Sequence, residues 1–322
     1  MNVLITGGAG FIGSHLAEKF LDSGARVTAL DDLSTGSFKN IRGLLERDGF
    51  VFVEGDVLDT GLLEELVKKS DRVFHLAAAV GVRYVIENPI KSIEINVNGT
   101  ENALKLADKY GKKVFLASTS EVYGKTENKA FREDDDRLVG STSVSRWSYS
   151  CSKALDEFLA MAYFKKRGLP VVIGRFFNTC GPRQTGKYGM VIPRFVSLAL
   201  RNKPLTVHGD GRQTRSFCYV GDAVRAVLML ISEKKAEGEI FNIGSPEAVT
   251  IEALARRVIE LSGSGSRIEH VPYEEAFDRD FEDMRYRVPD ISKISALTGY
   301  SPEFSLDMIL SQVIDYFRKE EL

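Results

Sequence analysis

The sequence predicts an α/β fold: a doubly wound parallel Rossmann sheet with a smaller mixed α/β lobe that would hold a substrate. Three observations carry that expectation. Short continuous apolar runs alternate with helix-period segments through the first half. A glycine-rich loop follows the first run and opens a helix. After about residue 178 the pattern breaks into proline- and glycine-rich stretches.

The apolar runs are VLI at 3–5, VTAL at 27–30, VFV at 51–53, VFHL at 73–76, VFLA at 114–117 and VVIGR at 171–175. They are short and do not alternate apolar with polar, as expected of parallel strands buried on both faces. Residues 14–23, 92–110 and 149–167 carry the amphipathic pattern of the covering helices. Pro182, Pro193, Pro204 and the Gly209-Asp-Gly211 turn mark the irregular region, so a lobe boundary is expected near 178. The first lobe is then 1–178, with the chain returning to it around 210–262, and the second lobe is 179–322. Residues 306–318 read as a terminal helix, and 262–266 (SGSGS) as a loop between helix and strand.

Composition excludes several classes. The 322 residues are 43% hydrophobic, enough for sizeable cores in two lobes. Forty-three Lys and Arg against forty-five Asp and Glu leave a net charge of -2, so neither nucleic acid nor a membrane surface is an expected partner. Cys151, Cys180 and Cys218 are odd in number and scattered, which fits reduced thiols in the cytoplasm. The first apolar run passes directly into glycines, leaving no room for a leader or a span, and a cytoplasmic location is expected. His15, His75, His208 and His270 lack metal-ligand spacing and read as structural; no metal is expected. The acidic run 133–136 lacks the spaced oxygens and turn glycine of a cation loop and reads as solvated. Asp222 reads as a helix N-cap.

Gly7, Gly10 and Gly13 sit between a strand and a helix, the context a dinucleotide fingerprint requires, although their spacing is GxxGxxG. Bare amides at that helix start can meet a pyrophosphate. Asp31 and Asp32 end the second strand, where a carboxylate accepts from ribose hydroxyls and repels a 2'-phosphate, favouring NAD over NADP. Asp56 and Val57 follow the third strand, either beside an adenine or as a simple turn.

Tyr149 and Lys153 are four residues apart on a predicted helix, so phenol and ammonium share a face and the cation is expected to lower the phenol pKa. A Tyr tuned this way is a general base near neutral pH. Ser118, Thr119, Ser120 and Glu121 follow the strand ending at Ala117, at the carboxyl edge where doubly wound sheets bind ligands.

Together these stretches resemble the extended short-chain dehydrogenase/reductases that act on nucleotide sugars, and the resemblance covers essentially the whole chain. It rests on TGGAGFIGSHL, VFHLAA, INVNGT, STSEVYG, YSCSK, RFFNTCGPRQ, LTVHGDGRQTRSF and RVPDISK. The resemblance implies NAD in the first lobe, held by Gly7, Gly10, Phe11, Ile12, Gly13, Asp31, Asp32, Leu33, Ser34, Gly36, Asp56 and Val57. It extends that set to Leu76, Ala77, Ala78, Val80, Asn96, Tyr149, Lys153 and Phe177. It further implies a UDP-sugar in the second lobe, with contacts at Asn178, Val191, Val207, Arg215 and one of Arg285 and Arg287. Arg215 fits a phosphate as its bidentate partner; otherwise it is a surface charge. Tyr149 would take the proton of the sugar C4 hydroxyl as hydride passes to NAD, Lys153 would hold the nicotinamide ribose, and Thr119 would bond the C4 oxygen. A homodimer built on the helices of 92–110 and 149–167 is also implied.

Enzymes of this kind share a transient 4-keto sugar and differ in the next step. Glu121 discriminates between them: STSEVYG resembles the UDP-glucuronate decarboxylases, which makes UDP-glucuronate decarboxylation the leading expectation, with Arg287 meeting the sugar carboxylate. UDP-hexose 4-epimerisation is the alternative, followed by 4,6-dehydration with Ser120 and Glu121 as acid and base. A nucleotide-sugar-binding protein without turnover is the reading from a different class. The acidic segment 274–284 (EEAFDRDFEDM) suits a carboxylate substrate poorly if it lines the pocket.

Overall fold

The computed structural model describes residues 1–186, 190–276 and 282–321. Six strands from the first 176 residues, β1 (Asn2–Thr6), β2 (Arg26–Asp31), β3 (Phe50–Glu54), β4 (Arg72–His75), β5 (Lys113–Thr119) and β6 (Val171–Phe176), join one seven-stranded sheet. The seventh strand, Glu239–Ile243, comes from far along the chain and adds beside β6, with Glu239 opposite Val172 and Ile243 opposite Phe176. All pairings are parallel, in the order β3-β2-β1-β4-β5-β6 and then Glu239–Ile243. The order reverses between β1 and β4, which opens a crevice beyond their carboxyl ends.

The continuous apolar runs are explained by burial on both faces. β6 is buried along its whole length, and Leu4, Ile5, Val73, Phe74 and Phe115 have no exposed surface. Helix α1 (Phe11–Asp22) lays Leu16, Ala17, Phe20 and Leu21 on one face. Leu104, Ala107 and Ala160, from the helices Pro89–Lys109 and Trp147–Arg167, cover the other.

The helix Val220–Ser232 packs its Val224, Val227 and Leu230 with Phe20 and Phe74 of the first core and leads into the strand Glu239–Ile243. The helix Ile251–Ser262 instead turns Leu254, Ala255 and Val258 toward Ile192, Val196, Ile309 and Val313, and so belongs to a second core. The helices Val191–Leu200 and Leu306–Glu321 complete that core. Ile294 and Tyr300 lie back in the first core, so the chain crosses between the lobes more than once.

Two polar expectations are corrected. Tyr219 is the N-cap of the helix Val220–Ser232, and Asp222 lies inside its first turn. The buried Asp222 carboxylate accepts from Arg225 and from the backbone amides of Glu303 and Phe304, tying that helix to the C-terminal segment. Glu133 is not solvated: its Oε1 accepts from the Asn242 amide at 2.8 Å, while Arg175 donates to its carbonyl. Its neighbour Asp134 is exposed.

Among the described residues no helix is long and apolar enough to cross a membrane, and no cluster of His, Cys, Asp and Glu could hold a metal ion. The outer faces of the helices Pro89–Lys109 and Trp147–Arg167 leave Ile90, Ile93, Leu155 and Phe158 exposed, at 74% and 64% for Ile90 and Phe158.

Candidate active site

A cleft of about 1680 Å³ runs along the sheet crevice and between the lobes. Its first half is built by the glycine loop. Gly7 has φ +71° and approaches β4 so closely that a Cβ would lie 2.7 Å from the Ala77 nitrogen. A Cβ on Gly13 would lie 2.1 Å from the Gly7 carbonyl oxygen, so neither glycine tolerates a side chain. Gly10 caps α1 without a side-chain bond, and the helix start presents its amides to the cleft.

At the end of β2 the two acids divide their work. Asp31 is buried, with Oδ2 accepting from the Ala9 amide at 2.9 Å and Oδ1 from the Leu33 amide at 2.9 Å. Burial raises its carboxyl above the ordinary value, against those amide bonds. Asp31 therefore braces the glycine loop. Asp32 is tied to the amide and hydroxyl of Ser34 and stays exposed. Both line the cleft, as do Ser34, Gly36, Asp56 and Val57. Asp56 also accepts from the Leu58 amide, so it closes a turn at the cleft wall. These residues fit a dinucleotide: bare amides for the pyrophosphate, and carboxylates that a ribose can meet and a 2'-phosphate cannot.

The cleft narrows where β5 ends. Thr119 begins a short 3-10 turn, Ser120–Tyr123, its Oγ1 accepting from the Glu121 amide. Ser150 donates to the Glu121 carbonyl at 2.7 Å, which pins the start of the helix Trp147–Arg167 against that turn. The Tyr149 hydroxyl is thereby placed beside Thr119, and Tyr149, Lys153, Thr119 and Glu121 share the wall.

Glu121 is buried and held from two sides. Arg287 reaches its Oε1 at 2.7 Å and Arg146 its Oε2 at 3.4 Å, while the Arg287 Nε donates to the Ser120 hydroxyl at 2.7 Å. Burial opposes ionisation of Glu121, but the two guanidinium groups overcome it and hold the carboxyl below its usual range. A second carboxylate, Asp283, accepts from Arg215 through both oxygens at 2.9 Å, from Arg146 at 3.2 Å and from the Tyr273 hydroxyl at 3.1 Å. Three arginines, 146, 215 and 287, thus face two carboxylates, 121 and 283, which leaves one guanidinium in excess within this cluster.

Several expectations change here. The Tyr149 phenol is raised above its ordinary value, by burial first and by the Glu121 charge second, with Arg287 and Thr119 opposing. The expected lowering by Lys153 is therefore outweighed by burial and by Glu121; the Lys153 ammonium is itself paired with Asp156 at 2.7 Å. Val207 is fully buried in the second core and does not reach the cleft; the next residue, His208, lines it. Arg287 lines the cleft and Arg285 does not, being paired with Asp210 at the surface. Leu33 and Asn96 stand behind the wall, where Asn96 accepts from the Ala79 amide and donates to Ser152. Ser120 is fully buried and touches the pocket through Arg287. Phe11, Ile12, Leu76, Ala77, Ala78, Val80, Phe177, Asn178, Val191 and Arg215 line the cleft.

Sequence reading missed Asp283 as a pocket residue, because the acidic segment seemed to weigh against an anionic substrate. Glu282 and Asp283 are each paired with cations, Glu282 with Lys125 while it also accepts from the Trp147 indole, Asp283 with Arg215 and Arg146. Residues 277–281 of that segment lie outside the described residues.

The profile of the GDP-mannose 4,6 dehydratase family matches residues 4–313. The chain belongs to this family. It is an extended short-chain dehydrogenase/reductase and an NAD-dependent nucleotide-sugar enzyme. Over 319 residues it is 46% identical to the UDP-N-acetyl-alpha-D-glucosaminuronate decarboxylase of Bacillus cytotoxicus, covering 99% of this chain and 98% of that protein. It is 37% identical to UDP-glucuronic acid decarboxylase 1 of Xenopus tropicalis, covering 99% of this chain and 72% of that protein. In structure it is similar to the UDP-glucuronic acid 4-epimerase of Bacillus cereus solved with UDP-glucuronic acid and NAD. That match has a TM-score of 0.89 and 32% identity, over 99% of this chain and 100% of the other. Family membership accounts for the shared sheet and cleft; the second chemical step depends on the pocket.

Proposed function

We propose that the protein decarboxylates a UDP-hexuronate, UDP-glucuronate in the leading reading, through a transient 4-keto sugar. The observation that carries this reading is the Glu121 carboxylate clamped between Arg146 and Arg287 at the sugar end of the cleft. Tyr149 takes the proton of the C4 hydroxyl, Thr119 bonds the C4 oxygen and Lys153 holds the nicotinamide ribose. NAD supplies only the relay that accepts the C4 hydride and returns it. Asn178, Val191 and Arg215 face the UDP moiety, and Arg287 meets the C5 carboxylate. A C4 ketone makes that carboxylate a β-keto acid, which loses carbon dioxide without a base at C5. Fixed negative charge on Glu121 beside a bound carboxylate disfavours the charged ground state and favours departure as neutral carbon dioxide.

The clamp argues against 4,6-dehydration. Elimination needs a base to remove the C5 proton, and a carboxylate whose pKa is pressed down by two guanidinium groups is a weak one. The 46% identity to a decarboxylase of the 2-acetamido uronate, over nearly the full length of both chains, favours UDP-N-acetylglucosaminuronate as the second substrate reading.

The test is to incubate the NAD-loaded protein separately with UDP-glucuronate, UDP-N-acetylglucosaminuronate and UDP-glucose and to follow products by NMR. A UDP-pentose or its 4-keto form, with carbon dioxide, is expected from a uronate. A C4-epimer that keeps its carboxylate overturns the proposal in favour of an epimerase, and a 4-keto-6-deoxy sugar in favour of a dehydratase. Tight binding with no turnover of any of the three would make it a binding protein.

We further read 1–178 with the returning 220–243 and the segment carrying Ile294 and Tyr300 as the NAD lobe, and the rest as the sugar lobe. A homodimer through the exposed Ile90, Ile93, Leu155 and Phe158 is supported by the size of those uncovered side chains. Buried free thiols at Cys180 and Cys218 support a reducing, cytoplasmic setting.

A further inference from the structure

Behind the Tyr149 wall, Lys153 heads a buried polar chain whose other members the reaction scheme does not use. The Lys153 ammonium donates to Asp156 Oδ2 at 2.7 Å, and both side chains are almost wholly buried, at 3% and 1% exposure. The Thr100 hydroxyl, from the neighbouring helix Pro89–Lys109, faces the same Asp156 carboxyl and lies 3.2 Å from the His75 Nε2. His75 Nδ1 lies 2.8 Å from the Thr6 hydroxyl at the carboxyl end of β1. Glu157, the other acid on this turn of helix, is engaged elsewhere, with Arg175 through both oxygens and with Ser118.

We propose that Asp156 is a positioning residue that sets how much positive charge Lys153 presents to Tyr149. A lysine one helical turn from a catalytic tyrosine favours the phenolate as a lone ammonium, and far less as half of a buried ion pair. Besides Lys153, one helical turn away, the charged groups acting on Tyr149 are Glu121, Arg287 and Asp156, with the Thr119 hydroxyl. Those facing Asp156 are Lys153 and Glu157, with Thr100, and His75 faces Lys153. Glu121 and Asp156 both favour the neutral phenol, so Tyr149 keeps its proton until further positive charge arrives at the nicotinamide end of the cleft. Asp156 thereby adds to burial and to Glu121 in keeping the proton on Tyr149.

The inference rests on Tyr149 as the proton acceptor and is independent of which sugar reacts. Tyrosinate absorbance of the purified holoenzyme, titrated against pH and corrected by a Tyr149→Phe control, reads the group without turnover. In Asp156→Asn, which keeps the shape and removes the charge, the Tyr149 titration and the acid limb of the kcat/KM profile are expected to move down by about one pH unit. Asp156→Glu keeps the charge and is expected to retain the parent's titration. An unchanged or upward-shifted titration in Asp156→Asn overturns the proposal. So does an equal displacement in Asp156→Glu, which would assign the effect to packing. A titration that shifts as expected in a protein inactive on every uronate would leave this inference standing and remove the decarboxylase reading.

Discussion

Arg287 bonds Glu121 and Ser120 at once, its Nη1 2.7 Å from the carboxylate and its Nε 2.7 Å from the hydroxyl. One guanidinium thus joins the short strand Tyr286–Arg287 of the second lobe to the turn after β5 in the first, across the sugar end of the cleft. The lobes meet through the group assigned to the substrate carboxylate, so removing that group should separate recognition from folding of either lobe. Arg287→Met is expected to raise the KM for a UDP-hexuronate by roughly 10- to 100-fold, the range of a lost charge-assisted bond. Inhibition by UDP alone should not change. Isothermal titration with both ligands checks this, and equal losses for the two would place Arg287 on the nucleotide.

Glu121→Gln removes the anion and leaves Arg146 and Arg287 with one fewer partner. The expected result is a KM for the uronate lower than the parent's together with a kcat lower by about 10-fold or more, because the fixed charge is assigned to destabilising the bound carboxylate. Steady-state kinetics separate the two constants. A raised KM with unchanged kcat would contradict that role.

Tyr149→Phe should lower turnover by about 10²- to 10⁴-fold, the usual contribution of a positioned general base. The glycine loop and Asp31 do not depend on the phenol, so the NAD content of the purified variant should equal the parent's. Turnover by NMR and cofactor content by absorbance after denaturation provide the two readings.

Acid should destabilise the fold from near neutrality downward. Burial depresses His75 to about 3 and His15 to about 4, from an ordinary value of 6.5. A base with a lowered folded-state pKa contributes its full stability above 6.5 and loses it progressively as pH falls toward the folded value. The melting temperature is therefore expected to fall between pH 6.5 and pH 4, and His75→Gln should flatten that fall. Thermal melts across the range check it; parallel curves for the two proteins would assign the acid sensitivity to other groups.

Phe158→Glu places a charge on the exposed face of the helix Trp147–Arg167. Light scattering should then give a mass near 35.8 kDa, against twice that for the parent. A parent already at 35.8 kDa removes the dimer.

What was legible in the sequence was what is local. The glycine loop, the Asp pair ending β2 and the Tyr149/Lys153 spacing each declare themselves within a few residues, because a helix or a strand end fixes their geometry. The clamp on Glu121 was only half legible: Glu121 and Arg287 stood out, but nothing local shows that Arg146 bridges Glu121 and Asp283, which lie 25 positions before it and 137 after it. The expected lowering of Tyr149 failed because burial and the Glu121 charge, neither visible in the spacing, act on the phenol. Spacing places Lys153 beside it, whereas the pairing of Lys153 with Asp156 depends on how deeply the helices Pro89–Lys109 and Trp147–Arg167 bury that turn. Val207 failed by one position, since a strand turns successive side chains to opposite faces and His208 took the cleft side.

The strand Glu239–Ile243 has a consequence for how the chain is born. Until residue 243 has left the ribosome, β6 carries an open hydrogen-bonding edge lined by some of the most apolar sequence in the protein. The dinucleotide-binding half is therefore synthesised well before its sheet can be closed, and for that interval the β6 edge stays open to pairing with other chains. A genetic split near residue 178, natural or engineered, would make that interval permanent.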